Sequence, residues 1–239
     1  FAAAYLILAA LIVLVWFMAP TFAMTAFLIY SAFHFGSGKR QGDGPLLAIA
    51  AGSLPILLPL VFHPNEVSKV FEIISATEFD VMPFMQRLTI ASVVSVLLTL
   101  FGAFRRRSGV SAIETIFLLT INYTNPPLIA FTVYFVLLHS VRHLTDLAEW
   151  LEPNDFFYGL RRVARESLPL TALTIGGMIL GVTVLDHARI DSAIIRVVFV
   201  TLAALTVPHM VLTYLAGRAF GCSSRIGLRV DASAELSAQ

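Results

Sequence analysis

The chain has 239 residues, of which 58% are apolar (Ala, Val, Ile, Leu, Met, Phe, Trp, Tyr, Cys) and 13% charged, with a formal net charge of +1. Soluble domains average about 45–50% apolar and about 25% charged residues, so a mean hydropathy of +0.84 excludes an ordinary soluble domain and a disordered chain. The balanced charge leaves no basic surplus to neutralise phosphates, which excludes a nucleic-acid partner.

The apolar residues come in long runs, so the expected fold is an all-α, polytopic integral membrane bundle. The chain opens at Phe1 inside an apolar run, without the basic stretch of a signal peptide; the expectation is that native sequence precedes it. Breakers and charges divide the chain into about eight spans. The first is Ala2–Met18, ending before Ala19-Pro20, and the second Thr21–Gly36. The third is Pro45–Phe62, with Pro55 and Pro59 as kinks, and the fourth Arg87–Phe104. The fifth, Ser111–Asn122, is short, and Asn125-Pro126-Pro127 turns the chain into the sixth, Pro127 to about Leu147. The seventh is Leu168–Leu185 and the eighth Ser192–Ala216. The longest less apolar stretches are His63–Gln86 outside and Thr145–Ser167 inside. Residues 1–216 therefore read as one transmembrane domain and 217–239 as a polar cytoplasmic tail. Cys222, the single cysteine, cannot form an internal disulfide.

The charges orient the spans. If every span crosses once, Lys39, Arg40, Arg105, Arg106, Arg107, Arg142, Arg161, Arg162, Arg165, Arg218, Arg225 and Arg229 fall on one side. Lys69, Arg87, Arg189 and Arg196 fall on the other. By the positive-inside rule the richer side, and with it the C-terminus, is cytoplasmic in a cell inner membrane.

Imidazoles inside a membrane are functional candidates. At a rise of 1.5 Å per residue, His34, His139, His143 and His209 reach about 18–24 Å below the outer ends of their spans. Three spans thus bring four histidines to one level in the cytoplasmic half, whereas His63 and His187 stay at the outer ends. His139 and His143 share a helix face at i, i+4, about 6 Å apart at Cβ, a geometry suited to holding one metal ion. The competing reading places His143 at the headgroups beside Arg142. For His34 the alternative is a histidine capped by a backbone carbonyl. Pro208 frees a carbonyl that His209 could bond; otherwise His209 is a ligand or a donor orienting one. Glu114 lies in Ser111-Ala112-Ile113-Glu114, which reads as a capping box. Asp146 reads as an end charge. Phe33, Phe35, Phe131, Tyr134 and Phe135 flank the histidine level and suit a wall for a long apolar substrate entering from the lipid bilayer.

Together, Ser31-Ala32-Phe33-His34-Phe35-Gly36, Phe62-His63-Pro64, Tyr134-Phe135-Val136-Leu137-Leu138-His139-Ser140-Val141-Arg142-His143 and Val207-Pro208-His209-Met210 resemble the Brp/Blh-type β-carotene 15,15′-dioxygenases. The likeness runs in order over nearly the whole chain. It implies a membrane enzyme that cleaves the central double bond of β-carotene with O2, using a non-haem Fe2+ held by histidines, and gives two retinals destined for a microbial rhodopsin. By motif, His34, His139 and His143 match three iron histidines of the family. The family's upstream Pro-His-Gly motif, which carries a further ligand, is missing here. The expectation is that this ligand lies before Phe1, with His209 kept as a site residue. A di-iron desaturase is disfavoured by six histidines, two of them outside. A bis-His haem protein, a transporter and a non-catalytic lipid- or carotenoid-binding protein are the other rivals.

Overall fold

A computed structural model describes the backbone of residues 2–37, 44–184 and 190–220, and most side chains within them. Every regular element among the described residues is helical. In chain order they are α1 (Ala2–Met18), α2 (Pro20–Ser37), α3 (Pro45–Phe62), α4 (Pro64–Ser75), α5 (Met85–Arg105), α6 (Gly109–Thr124) and α7 (Pro127–Val133). A π-helical segment, Tyr134–Ser140, follows, then α8 (Val141–Leu151), α9 (Phe156–Val184) and α10 (Ile190–Phe220). By length and composition Pro45–Phe62, Met82–Arg105, Pro127–Glu149 and Ser192–Val211 are long and apolar enough to cross a membrane; Ala4–Met18 is a shorter apolar helix. The architecture is an all-α membrane-type bundle, as the composition requires.

The breakers act where helical physics places them. Pro20, Pro45, Pro64 and Pro127 each stand at the first turn of a helix, where a missing N–H is harmless. Pro55, Pro59, Pro169 and Pro208 lie inside helices. Next to the carbonyl that Pro208 leaves without its intrahelical donor, the Leu205 carbonyl accepts from the Tyr5 hydroxyl at 2.9 Å, tying α1 to α10.

Two stretches taken as polar connections are helical. In the first, α4 buries Val67, Phe71 and Ile74 on one face. These pack with Trp16, Met24, Phe27 and Ala203 in one of two apolar cores. In the second, α8 runs on to Leu151 and α9 starts at Phe156, well before the expected Leu168. A Cβ on Gly159 would stand 2.4 Å from the Ala148 carbonyl oxygen, so glycine permits this hairpin to close. Arg162 bridges it, bonding Glu152 at 2.9 Å and Glu166 at 3.0 Å.

α2 and α3 approach each other closely. A Cβ on Gly36 would sit 2.2 Å from the Ala48 carbonyl oxygen, and one on Gly52 would sit 2.1 Å from that of Ala32. Small residues four apart on both helices bring the two backbones together, the usual device for packing helices in lipid. His34 lies between Ala32 and Gly36 on α2, so this contact sets its position. The second apolar core, formed by Phe35, Leu54, Leu58, Leu118, Ile121 and Tyr134, closes the bundle beside it.

His187, Lys39, Arg40, Arg189, Cys222, Arg225, Arg229 and the tail lie outside the described residues.

Candidate active site

His34 on α2, His139 in the π segment, His143 on α8 and His209 on α10 line one cavity of 510 Å³, together with Tyr5, Ser140, Thr171, Thr174 and Thr206. The rings pair across helices: His34 and His139 have centroids 4.9 Å apart, and His143 and His209 5.4 Å apart. The sequence pairs His139 with His143; in the structure each packs on a histidine from another helix. His63 lies elsewhere, at the α3–α4 junction, with Nε2 2.8 Å from the Asn122 carbonyl oxygen and Nδ1 3.7 Å from Glu66.

The π segment determines which side chains accompany His139. A π turn brings i and i+5 together, and Tyr134 and His139 stand 6.5 Å apart at their centroids. Phe135 lies 5.4 Å from His139, and Phe35, from α2, 4.9 Å from it. The suspected substrate wall thus separates into different positions. Phe135 lines the histidine cavity. Phe35 and Phe131 line a second, apolar cavity of 70 Å³. Tyr134 is 1% exposed and belongs to the core. Phe33 is 52% exposed and lines neither cavity.

Glu114 is not part of a capping box. The cap of α6 is Ser108, whose hydroxyl accepts from the Ser111 N–H at 3.4 Å. Glu114 lies a turn further on, 13% exposed, and forms an ion pair with Arg142 of α8. A carboxylate shielded from water needs such a partner, and this one fixes the residue between His139 and His143 to a neighbouring helix. Arg142→Ala should therefore lower thermal stability by about 1–3 kcal/mol, since both groups retain some exposure. It should also lower turnover, while Arg142→Lys, which keeps the charge, should recover part of both. Detergent-phase melting and product yield check this; a melt unchanged in Arg142→Ala would show that the pair does not hold α8. Asp146 is exposed and does not line the cavity.

The donor set fits a metal ion that prefers imidazole nitrogen. Two imidazoles bound to one ion at about 2.1 Å place their centroids about 4.5–5.3 Å apart, close to both observed pairs. Among the described residues no carboxylate or thiol lines the cavity. Among the described residues no three His, Cys, Asp or Glu side chains converge as a closed ligand group.

The class defined here is an all-α membrane-type bundle with a four-histidine cavity backed by aromatic rings. The β-carotene 15,15′-dioxygenase family model matches residues 1–216, and the chain belongs to that family. It is 30% identical over 219 residues to the β-carotene 15,15′-dioxygenase of uncultured marine bacterium 66A03, covering 87% of this chain and 77% of that one. It is 27% identical over 245 residues to the probable β-carotene 15,15′-dioxygenase Blh of Halobacterium salinarum, covering 86% and 70% respectively. No solved structure matches the chain.

Proposed function

We propose that the protein is a membrane-embedded, Fe2+-dependent enzyme that cleaves β-carotene with O2 at the 15,15′ double bond, giving two molecules of retinal. The observation that carries this reading is that four imidazoles, from α2, the π segment, α8 and α10, line one cavity. Family membership supplies the reaction class. His34, His139 and His143 would hold the iron, with His209 either a further ligand or a donor that orients one. When bound, the ion supplies an open coordination position for activating O2.

The chain's own groups bind, align and shield the substrate. Phe35 and Phe135 flank His139 and offer flat apolar faces to a polyene. Holding the central double bond at the histidine level removes most of the orientational freedom that the uncatalysed encounter would have to lose. The cleavage breaks one carbon–carbon double bond and the O–O bond and forms two carbonyls. No proton leaves the substrate, so no general base is needed, and the described lining residues, which include no carboxylate, serve the reaction. The retinal product would pass to a microbial rhodopsin.

A carotene-producing bacterial host expressing the protein should accumulate retinal, and the purified protein should carry iron without a Soret band. A stoichiometric Soret absorbance would instead favour a bis-His haem protein. Reporter fusions test the membrane placement. Fusions after Lys39, after Arg107, in the Glu152–Arg165 region and at the C-terminus should read cytoplasmic, and those near Glu72 and Asp186 external. Glu152 and Asp186 fusions on the same side would mean that α9 does not cross.

A further inference from the structure

We propose that the turn between α5 and α6 is a binding site for an anionic phospholipid, which it holds by the lipid phosphate.

α5 ends at Arg105 and α6 starts at Gly109. A cavity of 570 Å³ opens at this turn, with Arg105, Arg107 and Ser108 on its polar side and Leu100, Phe104 and Ala112 on its apolar side. Sites for small ligands usually measure about 300–1,000 Å³. The cavity shares no lining residue with the histidine cavity. Among the described residues no carboxylate lines it, and neither Arg105 nor Arg107 makes a side-chain hydrogen bond or ion pair there.

The positive-inside rule treats Arg105, Arg106 and Arg107 alike, but the fold does not. Arg106 turns back, and its Nε donates to the Gly102 carbonyl at 3.0 Å, while its two neighbours line the cavity. Arg107 has φ +54°, the left-handed conformation that glycine usually supplies after a helix and that strains a residue with a side chain. Two bonds hold the turn in that shape. The Arg107 N–H donates to the Phe104 carbonyl at 3.0 Å, and the Ser108 N–H donates to the Ala103 carbonyl at 2.9 Å. A guanidinium kept at a strained position points to a task for its side chain. Guanidinium groups match phosphate oxygens with paired N–H bonds. Gly109 also lines the cavity, and first-turn N–H groups of a helix add donors of the same sense.

The apolar side selects a lipid over a free phosphate ion. Leu97, Phe101 and Phe104 follow one face of α5, and all are exposed, Phe104 by 83%. Ile113 and Ile116 are exposed on α6. α5 lies in Met82–Arg105, which is long and apolar enough to cross a membrane. Its exposed face leads from the cavity along the span, where acyl chains lie. A free ion would use the arginines alone, whereas a phospholipid uses both sides of the cavity. The competing explanation is general attraction of basic residues to an anionic bilayer, which depends on total charge and not on position.

The test uses the full chain in micelles of a neutral detergent, with phosphatidylglycerol, phosphatidylcholine or inorganic phosphate added, and reads the melting temperature. At tenfold saturation phosphatidylglycerol should raise it by about 3–6 °C, and the other two additions should raise it much less. Arg105→Gln combined with Arg107→Gln should abolish most of the phosphatidylglycerol shift while leaving iron content unchanged. Arg161→Gln combined with Arg165→Gln removes the same charge from elsewhere and should keep the shift. Arg107→Gly separates binding from folding: relief of the left-handed strain should make it melt no lower than wild type without lipid, yet its phosphatidylglycerol shift should be smaller. An equal shift in both double variants, an undiminished shift in Arg107→Gly, or an equal shift with inorganic phosphate would overturn the lipid site. None of these outcomes depends on the reaction at the histidines.

Discussion

His34→Ala, His139→Ala and His143→Ala should each reduce retinal formation to background and lower iron per protein. Each removes an imidazole from the same 510 Å³ cavity, and no carboxylate or thiol among its described lining residues can replace it. His209→Ala should be graded. If His209 orients a ligand rather than holding the iron, the loss is about 10–100-fold in activity or affinity; if it is a ligand, the variant behaves like the other three. His63→Ala is the structural control. It loses the 2.8 Å contact to the Asn122 carbonyl and with it about 1 kcal/mol of stability, while iron content should stay near wild type. The measurement is iron and retinal, normalised to folded protein, for all five variants. Normal iron and activity in His139→Ala would disprove the site as described.

The second large effect should come from adding one methyl group. In Gly52→Ala the new Cβ would lie 2.1 Å from the Ala32 carbonyl oxygen and 2.4 Å from the Gly36 nitrogen. Both are backbone atoms and cannot rotate away, so α2 and α3 must separate along the contact that positions His34. The destabilisation should reach about 3 kcal/mol, the upper part of the range for overpacking, and iron binding should weaken with it. The nearest atoms to a Cβ at Gly102 are flexible side-chain ends, a Leu47 methyl at 3.3 Å and Arg106 Nη2 at 3.5 Å, so Gly102→Ala should be much milder. Gly176→Ala meets nothing within 4 Å, and replacing a helical glycine there should stabilise by about 0.5–1 kcal/mol. Melting temperatures of the three variants in detergent test the ordering. A Gly52→Ala protein as stable as the Gly102→Ala protein would contradict the close α2–α3 contact.

What the sequence determined by itself is governed by local rules. Composition and run length required an apolar helical bundle, because backbone polar groups in lipid must be satisfied within each segment. Proline positions marked the start of α3 at Pro45 and of α7 at Pro127, since proline fits the first helical turn. Histidine depth along each span brought His34, His139, His143 and His209 to one level, and they line one cavity. The amphipathic spacing of Val67, Phe71 and Ile74 was also present in the sequence, though masked by the polar residues around it. Partner choice was decided by the tertiary structure alone. Glu114 stands where a capping box is plausible, yet it bonds Arg142, twenty-eight residues away, because the folded chain brings these two side chains together. Phe33 and Phe35 flank the same histidine in sequence, but helix rotation against α3 leaves the first 52% exposed and the second 4%. The π turn at Tyr134–Ser140 leaves no signature in a pattern read at 3.6 residues per turn, yet it brings Tyr134 up to His139. Depth along a helix follows from counting residues, whereas direction around it depends on which neighbours the folded chain supplies.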